Sequence, residues 1–430
     1  MKIKGHVTLL LGAMIGAIPV SSETLRLKDY IQIVLKHNPQ PQIASGAVQA
    51  SSASSASARS RLLPQVNGNA SISRSESPGT SARVGGPDNN SAAAGIGGQI
   101  LLFDFGKTRY QYNASRQSLS AAEIDSQSTM ASVILLARSA YFNYLLSLQL
   151  LNVNEDALKQ ANEHLDQAKT LFDVGKQARI EVTKARVDVA NAGVNLIHAK
   201  NSLKLAKVQM DLVAGMPLGE PMVLIDSLSA FEDSIGMSEA LKQAMQLRPE
   251  ILSSQARMEA ARLQLKSARA AYLPSLSATG SLGWDAQDNA AITGSDFNGS
   301  PNWSIGAALS VPIYQGGAIG ASVNQADAAF KQAQASLDAT TQNVAQQVQQ
   351  YFLQGKEALQ RIDATGVLIE QADESLKMSQ ERYRAGVATS IEITDAEVTL
   401  ANARISNAQA LFDYHIAHAN LLLAIGGLHE

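Results

Sequence analysis

His415 and His418 stand one helical turn apart, a spacing at which two imidazoles on one helix face can hold a metal ion. No third ligand has a clear position and no H-E-x-x-H pattern accompanies them. The pair therefore reads as packed or solvated histidines, and neither a metal nor a cofactor is expected. Gly106-Lys107-Thr108 imitates the close of a phosphate-binding loop, but Leu101 occupies the place of the earlier glycine. A matching segment further on, Gly316-Gly317-Ala318, has no lysine at all. Asp104-Phe105-Gly106 stands without the partner motifs of a kinase, and no serine sits in a G-x-S-x-G elbow. The chain contains no cysteine, which excludes disulfides, thiolate metal sites, a cysteine nucleophile and a lipid anchor on cysteine. No enzyme is expected from this set.

The elements around these residues are more informative. The chain of 430 residues is 45% apolar but only 5% aromatic, so its packing must rest on small aliphatic side chains. Lys2 and Lys4 precede an apolar run from Val7 to Val20, followed by Ser21, Ser22 and Glu23. This order predicts a secretory signal peptide over 1–22, since a membrane-spanning helix needs about 20 apolar residues. The formal charge is 35 − 38 = −3, and removing the two leader lysines makes it 33 − 38 = −5. A nucleic-acid footprint is therefore absent. The most apolar later stretch, Ala131 to Leu151, carries Arg138, Asn143 and Gln149, so no transmembrane helix is expected.

The sequence repeats itself. Pro39 recurs as Pro249, Leu63-Pro64 as Leu273-Pro274, Gly106 as Gly316 and Tyr141-Phe142 as Tyr351-Phe352, each 210 residues on. Gly175/Gly386, Ile180-Glu181/Ile391-Glu392 and Gly215/Gly426 are 211 apart, which predicts an extra residue between Phe352 and Gly386. The expected organisation is a first repeat over 23–219, a linker over 220–237 and a second repeat over 238–430. In each repeat a short helix (26–37, 238–246) ends near proline. A longer one (41–62, 250–272) stops at Leu-Pro, because the residue before proline leaves the helical region. Very long helical stretches follow over 107–172 and 317–383, then further helices over 180–213 and 391–425. Ile391, Ala396, Val398, Leu400, Ala403, Ile405 and Ala408 recur at helical spacing. At 1.5 Å per residue the long stretches reach ~100 Å, which implies rods or coiled-coil walls.

Between the helices lie 65–105 and 275–315. Trp303, Ile305, Ala307, Leu309, Val311 and Ile313 alternate with small or polar residues, as do Ala278, Gly280, Leu282 and Trp284. These are two-faced strands of about the 9–11 residues a tilted membrane strand needs. The first copy, Val66 to Ser73 and Gly95 to Phe103, has no register legible in the sequence. Gly-, Ser- and Asn-rich segments, Glu76–Ala94 and Asp285–Asn302, read as exposed loops. Trp284 and Trp303 are placed beside the loop, as a membrane-interface girdle requires. Four strands cannot close a barrel, and lipid does not tolerate an open edge. Three chains would supply twelve strands.

Taken together, these residues resemble the TolC-like outer-membrane efflux proteins over nearly all of the mature chain. The likeness rests on the duplication, Leu102-Phe103-Asp104-Phe105-Gly106 after the strands, Phe172-Asp173-Val174-Gly175 and Arg382-Tyr383-Arg384-Ala385-Gly386 at the turns, and the Ala-Asn-Ala repeats at 190–192 and 401–403. The resemblance implies a mainly α chain with a small β part. Its duplicated long helices would form an α-barrel, and four membrane strands per chain would make a twelve-stranded barrel as a homotrimer. It implies a passive exit duct of a tripartite efflux or type I secretion system, set in the outer membrane of a Gram-negative cell with a large periplasmic portion. Partners would be outer-membrane lipid, a periplasmic adaptor (membrane fusion protein) and an inner-membrane pump of the RND or ABC type, with no nucleic acid.

The same resemblance places Glu181, Glu392 and Asp395 at the pore entrance, and Gly175, Tyr383 and Gly386 at the hairpin tips that gate it. Carboxylates there would ring a narrow throat and favour cations. The residues alone also fit first-turn acids favoured by the helix dipole. A latching arginine of some relatives falls on Ala388, leaving Arg179, Arg382 or Arg384 as substitutes. The alternative reading is an exported, soluble coiled-coil scaffold of the periplasm. A monomeric porin lacks the strands.

Overall fold

The computed structural model describes residues 24–75, 89–218, 223–224, 235–288 and 300–427. The expected signal peptide, most of the 220–237 linker and the inner parts of both strand-to-strand loops lie outside them.

The first repeat runs β1 (Thr24–Leu25), α1 (Leu27–His37), α2 (Pro39–Ser60), β2 (Gln65–Ser75), β3 (Asn89–Phe103), α3 (Lys107–Asp173) and α4 (Arg179–Ala214). β4 (Val223–Leu224) lies in the expected linker, and the second repeat runs α5 (Met237–Leu247), α6 (Pro249–Ala270), β5 (Ser275–Asp288), β6 (Ser300–Ser310), α7 (Ala318–Arg384) and α8 (Ser390–Ala424). The prolines act as the sequence demands: Asn38 (φ −64°, ψ 135°) and Arg248 (φ −64°, ψ 118°) are extended, and each separates two helices. The two-residue parallel bridge β1–β4, Thr24↔Val223 and Leu25↔Leu224, is too short to leave a periodic signal.

The chain forms two compact units, and each repeat contributes to both. One comprises Met1–Asn38, Leu136–Phe231 and Ala358–Ile416; the other comprises Pro39–Leu135, Glu232–Glu357 and Ala417–Glu430. The first contains the turns of both long helical hairpins, α3–α4 and α7–α8. The second contains the four-stranded antiparallel sheet, in the order β2-β3-β5-β6.

The structure moves the extra residue of the second repeat. α3 and α7 each have 67 residues, and their starts are 211 apart. The left-handed pair before α3, Phe105 (φ 54°) and Gly106 (φ 86°), matches Gly316 (φ 57°) and Gly317 (φ 83°) at the same offset. Buried residues agree: Val133 with Val344, Ala137 with Val348, Ala161 with Ala372. The insertion thus lies before α7, not between Phe352 and Gly386. One residue added inside a packed helix turns everything beyond it by about 100°, whereas a loop absorbs it. The Tyr-Phe coincidence at 210 is one step out of the helix register.

Strand boundaries also differ from expectation. Pairing reaches Asn89–Ala94, Asp285–Asp288 and Ser300–Asn302, all expected as loop. In contrast, 311–315 leave the ladder after Ser310, because Pro312 has no N–H to donate. Among the described residues one helix, α3, is long and apolar enough to cross a membrane, but 56% of its apolar window is buried within the fold.

Candidate functional site: the hairpin turns and the two-faced sheet

The sheet register resolves both faces. Across the four strands, Gly68↔Ile96, Ile96↔Leu282 and Leu282↔Trp303 form one row, and Ala70↔Ala94, Ala94↔Trp284 and Trp284↔Pro301 form the next. Opposed residues share a face, so Val66, Ile72, Ile96, Leu282, Trp284, Trp303, Ile305 and Leu309 stand on one side. The other side carries Gln65, Asn67, Asn69, Ser71, Gln99, Ser277, Thr279, Ser281, Ser304 and Gly306. The apolar face is bare: Trp303 is 75% and Ile305 83% exposed. Trp284 and Trp303 lie a few residues inside the strand ends rather than at them.

Gly106-Lys107-Thr108 also receives an account. Asp104 accepts the N–H of Gly106 (3.1 Å) and of Thr108 (2.8 Å), so this carboxylate satisfies the free donors at the start of α3. The segment is a helix cap.

Both hairpins turn in the same way. In the first, the Gly175 N–H donates to Phe172 O (2.9 Å) and Lys176 to Leu171 O (2.9 Å); in the second, Gly386 donates to Tyr383 O (2.9 Å) and Val387 to Arg382 O (3.0 Å). This closure needs a left-handed residue, and Gly175 (φ 73°) and Gly386 (φ 78°) supply it.

The three expected entrance acids are not alike. Glu392 and Asp395 are exposed on the first turns of α8, and Glu392 Oε2 lies 3.5 Å from Arg382 Nη2. Glu181, expected beside them, has a side chain only 16% exposed. Its Oε1 accepts from Lys184 Nζ at 3.1 Å, and its buried Oε2 has no partner. Tyr383, expected at a gating tip, is fully buried in an apolar cluster with Leu376, Ala388, Ile393 and Leu400, and its hydroxyl has no partner. Burial first, then the Glu181 charge, raises its pKa.

Ala388 belongs to that cluster, so no arginine latch forms there. Arg382 pairs with Glu392 across its own turn, and Arg384 with Glu381 at 2.7 Å. The hairpins are joined otherwise. Thr394 Oγ1 donates to Asp188 Oδ2 (3.0 Å), Arg404 Nη1 to Asp156 Oδ2 (3.3 Å), and His164 Nε2 shares a hydrogen bond with Ser390 Oγ (3.0 Å). Glu397 on the same helix has its pKa raised to about 7, by burial and then by the charges of Asp188 and Glu163. None of these residues stood out in the sequence. The available signal was His164 at an inward position of the stripe Ala161, His164, Leu165, Ala168.

Duplicated long helical hairpins carrying a four-stranded, two-faced sheet define a class of outer-membrane channel. A family model described as "Outer membrane efflux protein" matches residues 30–216 and 240–427; the chain belongs to this family. It is 25% identical over 435 residues to outer membrane protein TolC of Escherichia coli (strain K12), covering 100% of this chain and 87% of that one. It is also 25% identical over 447 residues to the alkaline protease secretion protein AprF of Pseudomonas aeruginosa, covering 100% and 90%. The crystal structure of the Campylobacter jejuni CmeC outer membrane channel superposes with a TM-score of 0.83 at 22% identity, over 99% of this chain and 94% of that one. The protein is an outer-membrane exit duct for efflux or type I secretion in a Gram-negative cell, with a large helical part in the periplasm. The soluble-scaffold alternative falls with this assignment.

Proposed function

We propose that three copies close a twelve-stranded barrel, fed through a periplasmic adaptor by an inner-membrane pump of the RND or ABC type. The observation that carries the trimer is the pair of open edges. β2 and β6 each have a neighbour on one side only, while the sheet presents a bare apolar face. In hydrocarbon every strand edge must be paired. Joining β6 of one copy to β2 of the next removes all edges, and three sheets of four exceed the eight-strand minimum for a membrane barrel. Trp284 and Trp303 then serve as interface anchors, one end of each ring in lipid and the other in water.

Glu392 and Asp395 are the acids best placed to ring the entrance, since both are exposed. Glu181 acts from within the hairpin packing. Opening is an outward movement of the hairpins around Gly175 and Gly386, which an adaptor promotes only by preferring the open form. Native mass spectrometry of the detergent-extracted protein should give three chains; a monomer retaining the full sheet would overturn the assembly. In single-channel recordings, Glu392→Ala with Asp395→Ala should lower cation preference and divalent block. Unchanged selectivity removes the ring.

A further inference from the structure

The contact between the hairpins contains a buried histidine that the duct reading does not use. His164, on α3, is 4% exposed. Its Nε2 meets the hydroxyl of Ser390, itself 1% exposed, at the first residue of α8. Its ring centroid lies 5.2 Å from that of Tyr383 on α7. Its Nδ1 is buried with no partner. A neutral imidazole fits this pocket, with one nitrogen bonded and the other a bare lone pair. A protonated one does not, because it places an N–H and a positive charge where no acceptor waits.

We propose that His164 is a proton-operated catch between the hairpins: neutral, it is seated against Ser390 and Tyr383; protonated, it leaves the pocket and frees α8 from α3. This rests on the reading that the hairpins separate when the duct opens. The surrounding groups set the direction. α4 brings Glu181 and Asp188, whose charges favour the imidazolium; α7 brings the uncharged Tyr383; α8 brings Ser390, Thr394 and Glu397. Burial outweighs the two carboxylates and holds the His164 pKa below its usual value. The seated arrangement is therefore intact above the ordinary imidazole value of about 6.5, and is lost as pH falls through the lower seated value. Glu397 works in the opposite sense. Its pKa is raised to about 7, so the packing it shares with Asp188 and Glu163 weakens as pH rises. The contact is tightest between the two limbs.

The absence of native cysteine permits the test. Spin labels at Lys176→Cys and Val387→Cys, both exposed in the two turns, are read in trimers diluted with unlabelled chains. The expected result is one short distance at pH 6.7, below the Glu397 limb, and a longer one at pH 5.0, with a midpoint below about 6.5. His164→Gln keeps a hydrogen bond to Ser390 without a charge and should stay short at both. Equal lengthening in His164→Gln, or none in the parent at pH 5.0, overturns the catch. If His164→Gln does not pack at pH 6.7, Ser390→Ala replaces it; losing the bond to the seated ring should raise the midpoint, and an unchanged midpoint overturns the proposal. Conductance of the same trimers separates the two readings. Lengthening without higher conductance keeps the catch and removes the gate; pore opening without lengthening keeps the duct and removes the catch.

Discussion

The two hairpins share a turn but not an interior. Both close on a left-handed glycine with the same pair of backbone hydrogen bonds. Around the first turn Ala168, Val182 and Ala185 form a buried cluster, with Leu165 against it, and Phe172, Val174 and Ile180 remain exposed. Around the second, eight residues from Ala372 to Ala403 are buried together, and Leu171 of the first hairpin joins them. The joint at the other end of α4 and α8 repeats the shared backbone. Gly215 (φ 65°) and Gly426 (φ 79°) both lie so close to a neighbouring carbonyl that a Cβ would meet His37 O at 2.7 Å or Leu247 O at 2.9 Å. The side chains there differ: Asn38 donates to Val213 O, and Arg248 donates to Leu423 O, Gln347 and Glu250. Duplication kept the backbone and let the side chains diverge.

The largest expected effect breaks that contrast. Tyr383→Ala empties the centre of the second cluster and should cost about 3–5 kcal/mol, against about 1–2 kcal/mol for Val182→Ala in the first, both read by chemical denaturation. A cost for Tyr383→Ala below about 2 kcal/mol would mean that the second cluster collapses around the missing ring. Arg248→Ala comes next. It leaves a backbone carbonyl and the Glu250 carboxylate without their donor and should cost about 3 kcal/mol, whereas Asn38→Ala should cost about 1 kcal/mol.

Glu397→Gln sharpens the comparison through pH. The packed carboxyl is raised to about 7 from 4.5, so its contribution is present below 4.5 and lost as pH rises through 7. The glutamine variant should melt higher than the parent at pH 8 and the same at pH 4, by at most about 3 kcal/mol at ~1.4 kcal/mol per pKa unit. A Tm difference independent of pH would rule out this origin. The smallest effect is Tyr383→Phe. Its hydroxyl has no partner, so the change should cost less than about 0.5 kcal/mol or stabilise slightly. A loss of 2 kcal/mol or more would reveal a bond carried by this hydroxyl.

Much of this architecture was legible because prolines and glycines punctuate it. Asn38-Pro39, Arg248-Pro249, Gly175 and Gly386 fix where helices stop, and alternation around Trp284 and Trp303 fixes two strands. The register of β2 and β3 was not legible, since Ala- and Gly-rich strands alternate too weakly to fix a face. The extra residue was misplaced because Tyr141-Phe142 and Tyr351-Phe352 agree by chance, one step out of helix register. The contact between hairpins was hidden for a different reason. His164, Asp188, Ser390 and Thr394 are scattered over more than two hundred residues, and only folding brings them together. Composition cannot separate an acid in water, such as Asp395, from one turned inward, such as Glu181.

The polar side of the sheet has a consequence for transport. Across the four strands it consists of Ser, Asn, Gln, Thr, Gly and Ala, with Leu101 opposite Ser277 and Asp285 as its one charge among the described residues. If that side lines the lumen of the proposed trimer, the strand lining has little preference for sign, while the exposed carboxylates Glu392 and Asp395 lie on a helix. Changes to the strand lining would then alter which molecules fit, and changes at the helical tips would alter which ions pass.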